Sequence, residues 1–96
     1  EPARDYAAKK RDEAEQRKKD RARKQLEARI AELEGRVGAA ERAIKVLETQ
    51  MPDPTFYTRP DGGKLIMDEH QKLMWKVGEL LGQWEMLTAQ LEQNRQ

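Results

Sequence analysis

The chain has 96 residues, no cysteine, a formal net charge of +1, and more than half of its residues drawn from Ala, Glu, Lys, Leu and Arg. That length holds one small domain, the missing thiols exclude a disulfide or a thiolate metal site, and a single Phe with two Tyr argues against an ordinary sheet protein. The composition points instead to an all-α chain of long helices or a coiled coil.

The first element is a charged stretch. Residues 1–25 carry ten Lys/Arg against six Asp/Glu, whereas residues 26–96 carry nine against twelve, so the positive excess is gathered at one end. Lys9, Lys10, Arg11, Arg17, Lys18, Lys19, Arg21, Arg23 and Lys24 form a dense cation set of the kind that binds phosphate backbones without reading bases. On a helix these cations are expected to spread around several faces. The plainer alternative is a solvated helix in which Asp12, Glu13, Glu15 and Asp20 supply i,i+4 partners. Residues 3–25 hold no Gly or Pro and so favour helix. The expectation is a basic, solvated extension of helix 1 that buries little and is prone to fray.

A heptad block follows: Leu26, Ile30, Leu33, Val37, Ala40, Ile44, Leu47, Met51, alternating steps of four and three that keep one apolar seam on one side of a helix. Residues 52–63 hold three prolines and two glycines and cannot continue that helix. A second block then reads Ile66, His70, Leu73, Val77, Leu80, Trp84, Leu87, Leu91 with the same alternation. Two helices of equal seam length joined by a short connection should fold back on each other. With Leu26 at d, folding at the loop pairs Met51 with Ile66, Leu47 with His70, and so on to Leu26 with Leu91, each layer joining an a to a d position. Small Ala40 then meets Val77, and bulky Trp84 meets Leu33. The expected architecture is a two-helix antiparallel coiled-coil hairpin over residues 26–96, with a charged helical extension over 1–25. Helix 1 should run from about 4 to 50, helix 2 from about 62 to 94, and the loop over about 52–61.

Three side features matter. Gly35, Gly38, Gly78 and Gly82 fall at one level of this register, a softness that is either tolerated or meant for flexing or close approach. Phe56 and Tyr57 can stack on bases, but are better placed to fold over the open end of the seam and shield Met51 and Ile66. Trp75 falls at the outward f position beside an e column of Met67, Met74 and Leu81. Trp75, Met74 and Leu81 thus form either a contact surface or a widened core stripe with the indole lying flat.

Catalytic chemistry is not legible. Ser and Cys are missing, which removes the commonest nucleophiles, and the sole histidine, His70, sits at a seam position. Asp61-Gly62-Gly63-Lys64 lacks the glycine spacing, the hydroxyl residue and the preceding strand of a phosphate loop. Neither a metal set nor a cofactor motif is expected, and the chain is read as a non-enzyme. No apolar run reaches the length of a membrane span and no signal peptide opens the chain; with the lack of cysteine this suits a cytoplasmic protein without a membrane partner. The opening Glu1-Pro2-Ala3, without an initiator Met, reads as the start of a piece cut from a longer protein.

Three groups of residues together resemble a known module. They are the charged lead-in from Arg4-Asp5-Tyr6 to Arg17-Lys18-Lys19, the helix Leu26 to Glu34 followed by the loop Asp53-Pro54-Thr55-Phe56-Tyr57, and the closing Trp84-Glu85 with Leu87. Across nearly its whole length the chain is similar to the C-terminal coiled-coil domain of ABC-F ATPases, the soluble twin-cassette proteins of translation and nucleic-acid metabolism, including the Uup-like branch. The resemblance implies ATP-binding cassettes upstream in the same polypeptide and a tail that assists binding to DNA or ribosomal RNA. The competing reading is a structural or protein-interaction coil docking through Trp75, Met74 and Leu81, and a homodimer is open under either reading.

Overall fold

The computed structural model describes residues 2–95 and consists of two long helices joined by a compact loop, with no strand among the described residues. Helix α1 spans Pro2–Glu48 and helix α2 spans Lys64–Asn94. Pro2 opens α1, where its missing N–H has no helical partner to lose. Beyond Glu48 the chain turns: the Thr49 amide still bonds the Lys45 carbonyl at 3.1 Å while its hydroxyl donates to the Val46 carbonyl at 2.6 Å, and Pro52 ends any continuation.

Two cross-helix contacts fix the direction of the fold. The Trp84 indole N–H donates to Glu34 Oε2 at 3.3 Å, and His70 Nε2 lies 3.6 Å from Glu48 Oε2. As the number on α1 rises, that on α2 falls, so the pair is antiparallel, with Trp84 at the level of Leu33 and His70 at that of Leu47. Every seam residue of both blocks is buried or half-buried. Ile30, Leu33, Ala40, Ile44 and Leu80 are the most enclosed along the helices. Burying such side chains stabilises by about 1.5–3 kcal/mol each for Leu or Ile, and this is the main term holding the helices together.

The loop is built by two aspartates. Asp53 accepts the Thr55 amide at 2.9 Å and the Thr55 hydroxyl at 2.8 Å, opening a 3₁₀ turn over Pro54–Thr58. Asp61 accepts the Gly63 amide on one oxygen at 3.0 Å and the Leu65 amide on the other at 3.2 Å, tying off the first turn of α2. These donors favour the charged form. The Asp61 carboxyl is held below the usual carboxylate range by Gly63 and then Leu65, and Asp53 by the Thr55 amide and then its hydroxyl. The Asp61-Gly62-Gly63-Lys64 run is therefore a helix start. Gly62 and Gly63 have φ of 62° and 80°, a region that favours glycine, and this delays α2 to Lys64, two residues past the expected start.

Phe56 is the most enclosed side chain, 1 % exposed, with its ring against the Gly63 backbone. Tyr57 does not join it over the seam: it is 69 % exposed and meets Phe56 edge-on at 4.9 Å. In a 3₁₀ turn successive side chains point about 120° apart, so only one of two adjacent rings can turn inward.

The described residues span 85 × 16 × 15 Å with a radius of gyration of 23.6 Å. A compact chain of this length has a radius of roughly 12 Å, so the molecule is a rod. Most of its length is that of α1, about 70 Å for 47 residues at 1.5 Å each. The glycine level is not demanded by packing: a Cβ added at Gly35, Gly78 or Gly82 meets no atom within 4 Å, and one at Gly38 meets only the end of the Arg42 side chain at 3.3 Å.

Candidate nucleic-acid interface

The cations of the extension are sorted by the helix. Residues seven apart make nearly two turns and stack in a row. Carrying the hairpin's heptad frame into the extension puts Lys10, Arg17 and Lys24 in one row and Arg4, Arg11 and Lys18 in another, with Ala7, Ala14 and Arg21 between them. These three rows face away from the seam, and none of them contains an acid between residues 3 and 25. Asp5, Asp12, Glu13, Asp20 and Glu15 all fall on the seam line or beside it. The nine candidates thus occupy several faces, as expected, but six of them, Lys10, Arg11, Arg17, Lys18, Arg21 and Lys24, share one exposed stripe. Arg11, Lys18 and Arg21 border a common hollow with Ala14 and Glu15.

Lys9, Lys19 and Arg23 stand apart, in the seam rows. Arg23 is half-buried and engaged, its guanidinium 3.5 Å from both Asp20 and Glu27. Lys19 lines a hollow with Gln16, Asp20, Ala22, Arg23 and the end of α2 at Gln93 and Asn94. The cover from α2 therefore reaches past Leu26 on the seam side, while the outward stripe is untouched. Lys10 pairs with Glu13 at 3.5 Å and sits over the Tyr6 ring at 5.5 Å. Among the described residues, Arg11, Arg17, Lys18, Arg21 and Lys24 form no ion pair. Arg4 belongs to the stripe by position, although it is not among the nine. The signal for the stripe is present in the sequence, since extending the heptad frame beyond the last apolar residue suffices to find it.

From Arg4 to Lys24 the stripe runs about 30 Å. Duplex DNA carries one phosphate charge per roughly 1.7 Å of axis, so a stripe of this length faces many phosphates without any bend. A helix of exposed guanidinium and ammonium groups can neutralise a polyanion, and contacts of this kind to phosphates carry no base code.

The second candidate surface lies on α2. Trp75 is 68 % exposed, Met74 52 % and Leu81 40 %. A flat-lying indole that widens the core does not fit such exposure, so the strip is a solvent-facing apolar surface. His70 is a half-buried seam residue whose Nε2 has no hydrogen-bond partner. Among the described residues no cluster of His, Asp and Glu could hold a metal ion, and no helix is long and apolar enough to cross a membrane.

Fold and site define a class: a two-stranded antiparallel helical hairpin whose longer strand projects a one-sided cationic helix. Compared with known proteins, the chain matches no family model, no curated protein and no solved structure.

Proposed function

We propose that the chain is a non-catalytic nucleic-acid-binding arm, the C-terminal coiled coil of an ABC-F ATP-binding cassette protein, working in the cytoplasm beside cassettes of the same polypeptide. The observation that carries the binding reading is the cationic stripe on the outward side of residues 4–24, whose three rows themselves hold no acid. The hairpin stiffens the arm and sets its direction, and the exposed cations displace counterions from phosphates of DNA or ribosomal RNA. Binding by this route is independent of base sequence and steeply dependent on salt.

The test replaces Arg11, Arg17, Lys18, Arg21 and Lys24 by Gln and titrates duplex DNA, single-stranded DNA and ribosomal RNA across salt. The expected result is weaker binding to every polyanion, unchanged helix content, and a shallower salt slope. The slope should fall by up to about 0.9 for each duplex-DNA phosphate that the variant no longer neutralises. A variant that binds as the parent does at every salt concentration ends the nucleic-acid reading and leaves residues 2–25 as a linker.

The second reading, a protein-docking coil, is favoured by one observation, the exposure of Trp75, Met74 and Leu81. Docking of this kind resists salt where phosphate binding does not. Trp75→Ala separates the two, because it weakens partner capture and leaves polyanion binding intact.

A further inference from the structure

The two edges of the hairpin differ. Along one, α1 presents Arg29, Arg36 and the small Ala43, and α2 presents Glu69, Lys76, Gln83 and Gln90, so that this edge is mostly polar and of mixed charge. Along the other, α1 presents Glu27, Glu34, Glu41 and Glu48 in steps of seven, and α2 presents Met67, Met74 and Leu81 at the same step. Cross-helix geometry brings these columns side by side. Glu34 and Leu81 line one hollow of about 210 Å³ with Val37 and Trp84. Glu34 and Glu48 reach across to Trp84 and His70, and the register sets Glu41 beside Met74 between them. All four glutamates are exposed. Met67 and Met74 are each 52 % exposed, and Trp75 flanks them.

We propose that this edge is a docking groove for a basic amphipathic helix of a partner protein. Its apolar residues, at heptad spacing, would lie on Met67, Met74 and Leu81, and its Lys or Arg residues would run beside the glutamate column. The proposal rests on the docking reading of the Trp75 strip and names that partner's chemistry. A helix is the occupant that fits because both columns repeat every seven residues, about 10.5 Å apart, which is the repeat a third strand presents along a two-stranded coil. Charge selects its sign. Glu41 makes no hydrogen bond or ion pair among the described residues, and the glutamate column repels phosphates, so nucleic acid is confined to the extension. A second copy fits less well: its basic stretch has Arg23, Lys19 and Gln16 in the seam rows and offers no apolar row to the methionines. Methionine suits such a groove, since its unbranched thioether adapts to varied partners.

The test uses the full chain and three labelled helical peptides of about 21 residues, long enough for the roughly 30 Å column. One has Leu at heptad spacing flanked by Lys and Arg, one is its twin with Glu in place of the cations, and one is a scramble of the first. The expected result is binding of the basic heptad peptide about tenfold or more tighter than the other two. Glu34→Gln/Glu41→Gln/Glu48→Gln should remove that preference and its salt dependence, and Met74→Gln/Leu81→Gln should weaken binding at all salt concentrations. These positions are exposed, and circular dichroism checks that each variant keeps its helices. Equal binding of all three peptides, or of the basic peptide and its scramble, overturns the proposal. Sedimentation that shows the chain pairing with itself through the strip, reversed by Met74→Gln/Leu81→Gln, overturns the occupant and keeps the docking reading. Absence of both peptide capture and self-association removes that reading together with the proposal.

Discussion

Residues 2–25 and 26–48 form one unbroken helix, yet different forces hold its two halves. The second half buries an apolar seam against α2, and its helicity is a by-product of packing. The first half has no partner along its outward side, and what favours helix there is local: Ala, Lys, Arg and Glu throughout, and pairs such as Lys10 with Glu13 and Gln16 with Asp20. Each such pair adds only about 0.2–0.5 kcal/mol. The difference separates stability from function. Seam side chains of the hairpin are committed to each other, whereas Arg11, Arg17, Lys18, Arg21 and Lys24 of the extension form no ion pair among the described residues.

The largest effect should come from the seam. Leu80, 2 % exposed, should cost about 2–5 kcal/mol as Leu80→Ala, read as a fall in thermal midpoint. The cation-to-Gln variant should leave that midpoint nearly unmoved. A comparable loss from both would break the comparison, because it would mean that the extension is packed.

Two glycine substitutions sharpen it within the hairpin. At Gly63 an added Cβ comes 2.5 Å from the Phe56 ring at a φ of 80°, so Gly63→Ala should destabilise by about 1–3 kcal/mol. At Gly78 an added Cβ meets open space, so Gly78→Ala should stabilise by up to about 1 kcal/mol through helix propensity alone. Denaturant midpoints of the two variants should move in opposite directions. If Gly78→Ala stabilises and also weakens capture of the basic peptide, close approach at the glycine level is part of docking.

Acid should give the smallest effect. Asp53 and Asp61 have folded pKa values below the ordinary carboxylate value near 3.8, so their stabilisation of the loop is complete above that value and is lost as pH falls through the lower folded one. Protection against amide exchange in residues 53–65, taken relative to the intrinsic rate at each pH, should fall below about pH 4 before the seam opens. Asp61→Asn should remove much of that acid response. An acid response of the same size in the variant would show that the caps do not govern the loop.

Much of the fold was legible because a coiled-coil seam is a one-dimensional code. The four-three alternation on either side of the proline loop was enough to pair Leu33 with Trp84 and Leu47 with His70, and the cross-helix partners of Glu34 and Glu48 agree with that pairing. The candidate site was less legible. The nine cations were visible as a composition, and extending the heptad frame past Leu26 sorts them into six outward and three seamward, an arrangement that holds because α1 continues unbroken through the extension. Trp75 was visible as an outward aromatic, while the glutamate column beside Met67, Met74 and Leu81 belongs to the other helix.

The sequence by itself determined the helices, their direction, the seam and the place of the turn, because periodicity and helix-breaking residues act locally or through one repeated layer. Only the tertiary structure decided which of Phe56 and Tyr57 turns inward, that Asp61 starts α2, how far α2 covers the extension, and which edge is acidic and apolar at once. Each of these depends on backbone conformation at a few loop residues, or on side chains from two helices meeting across a gap, which no single stretch of sequence encodes.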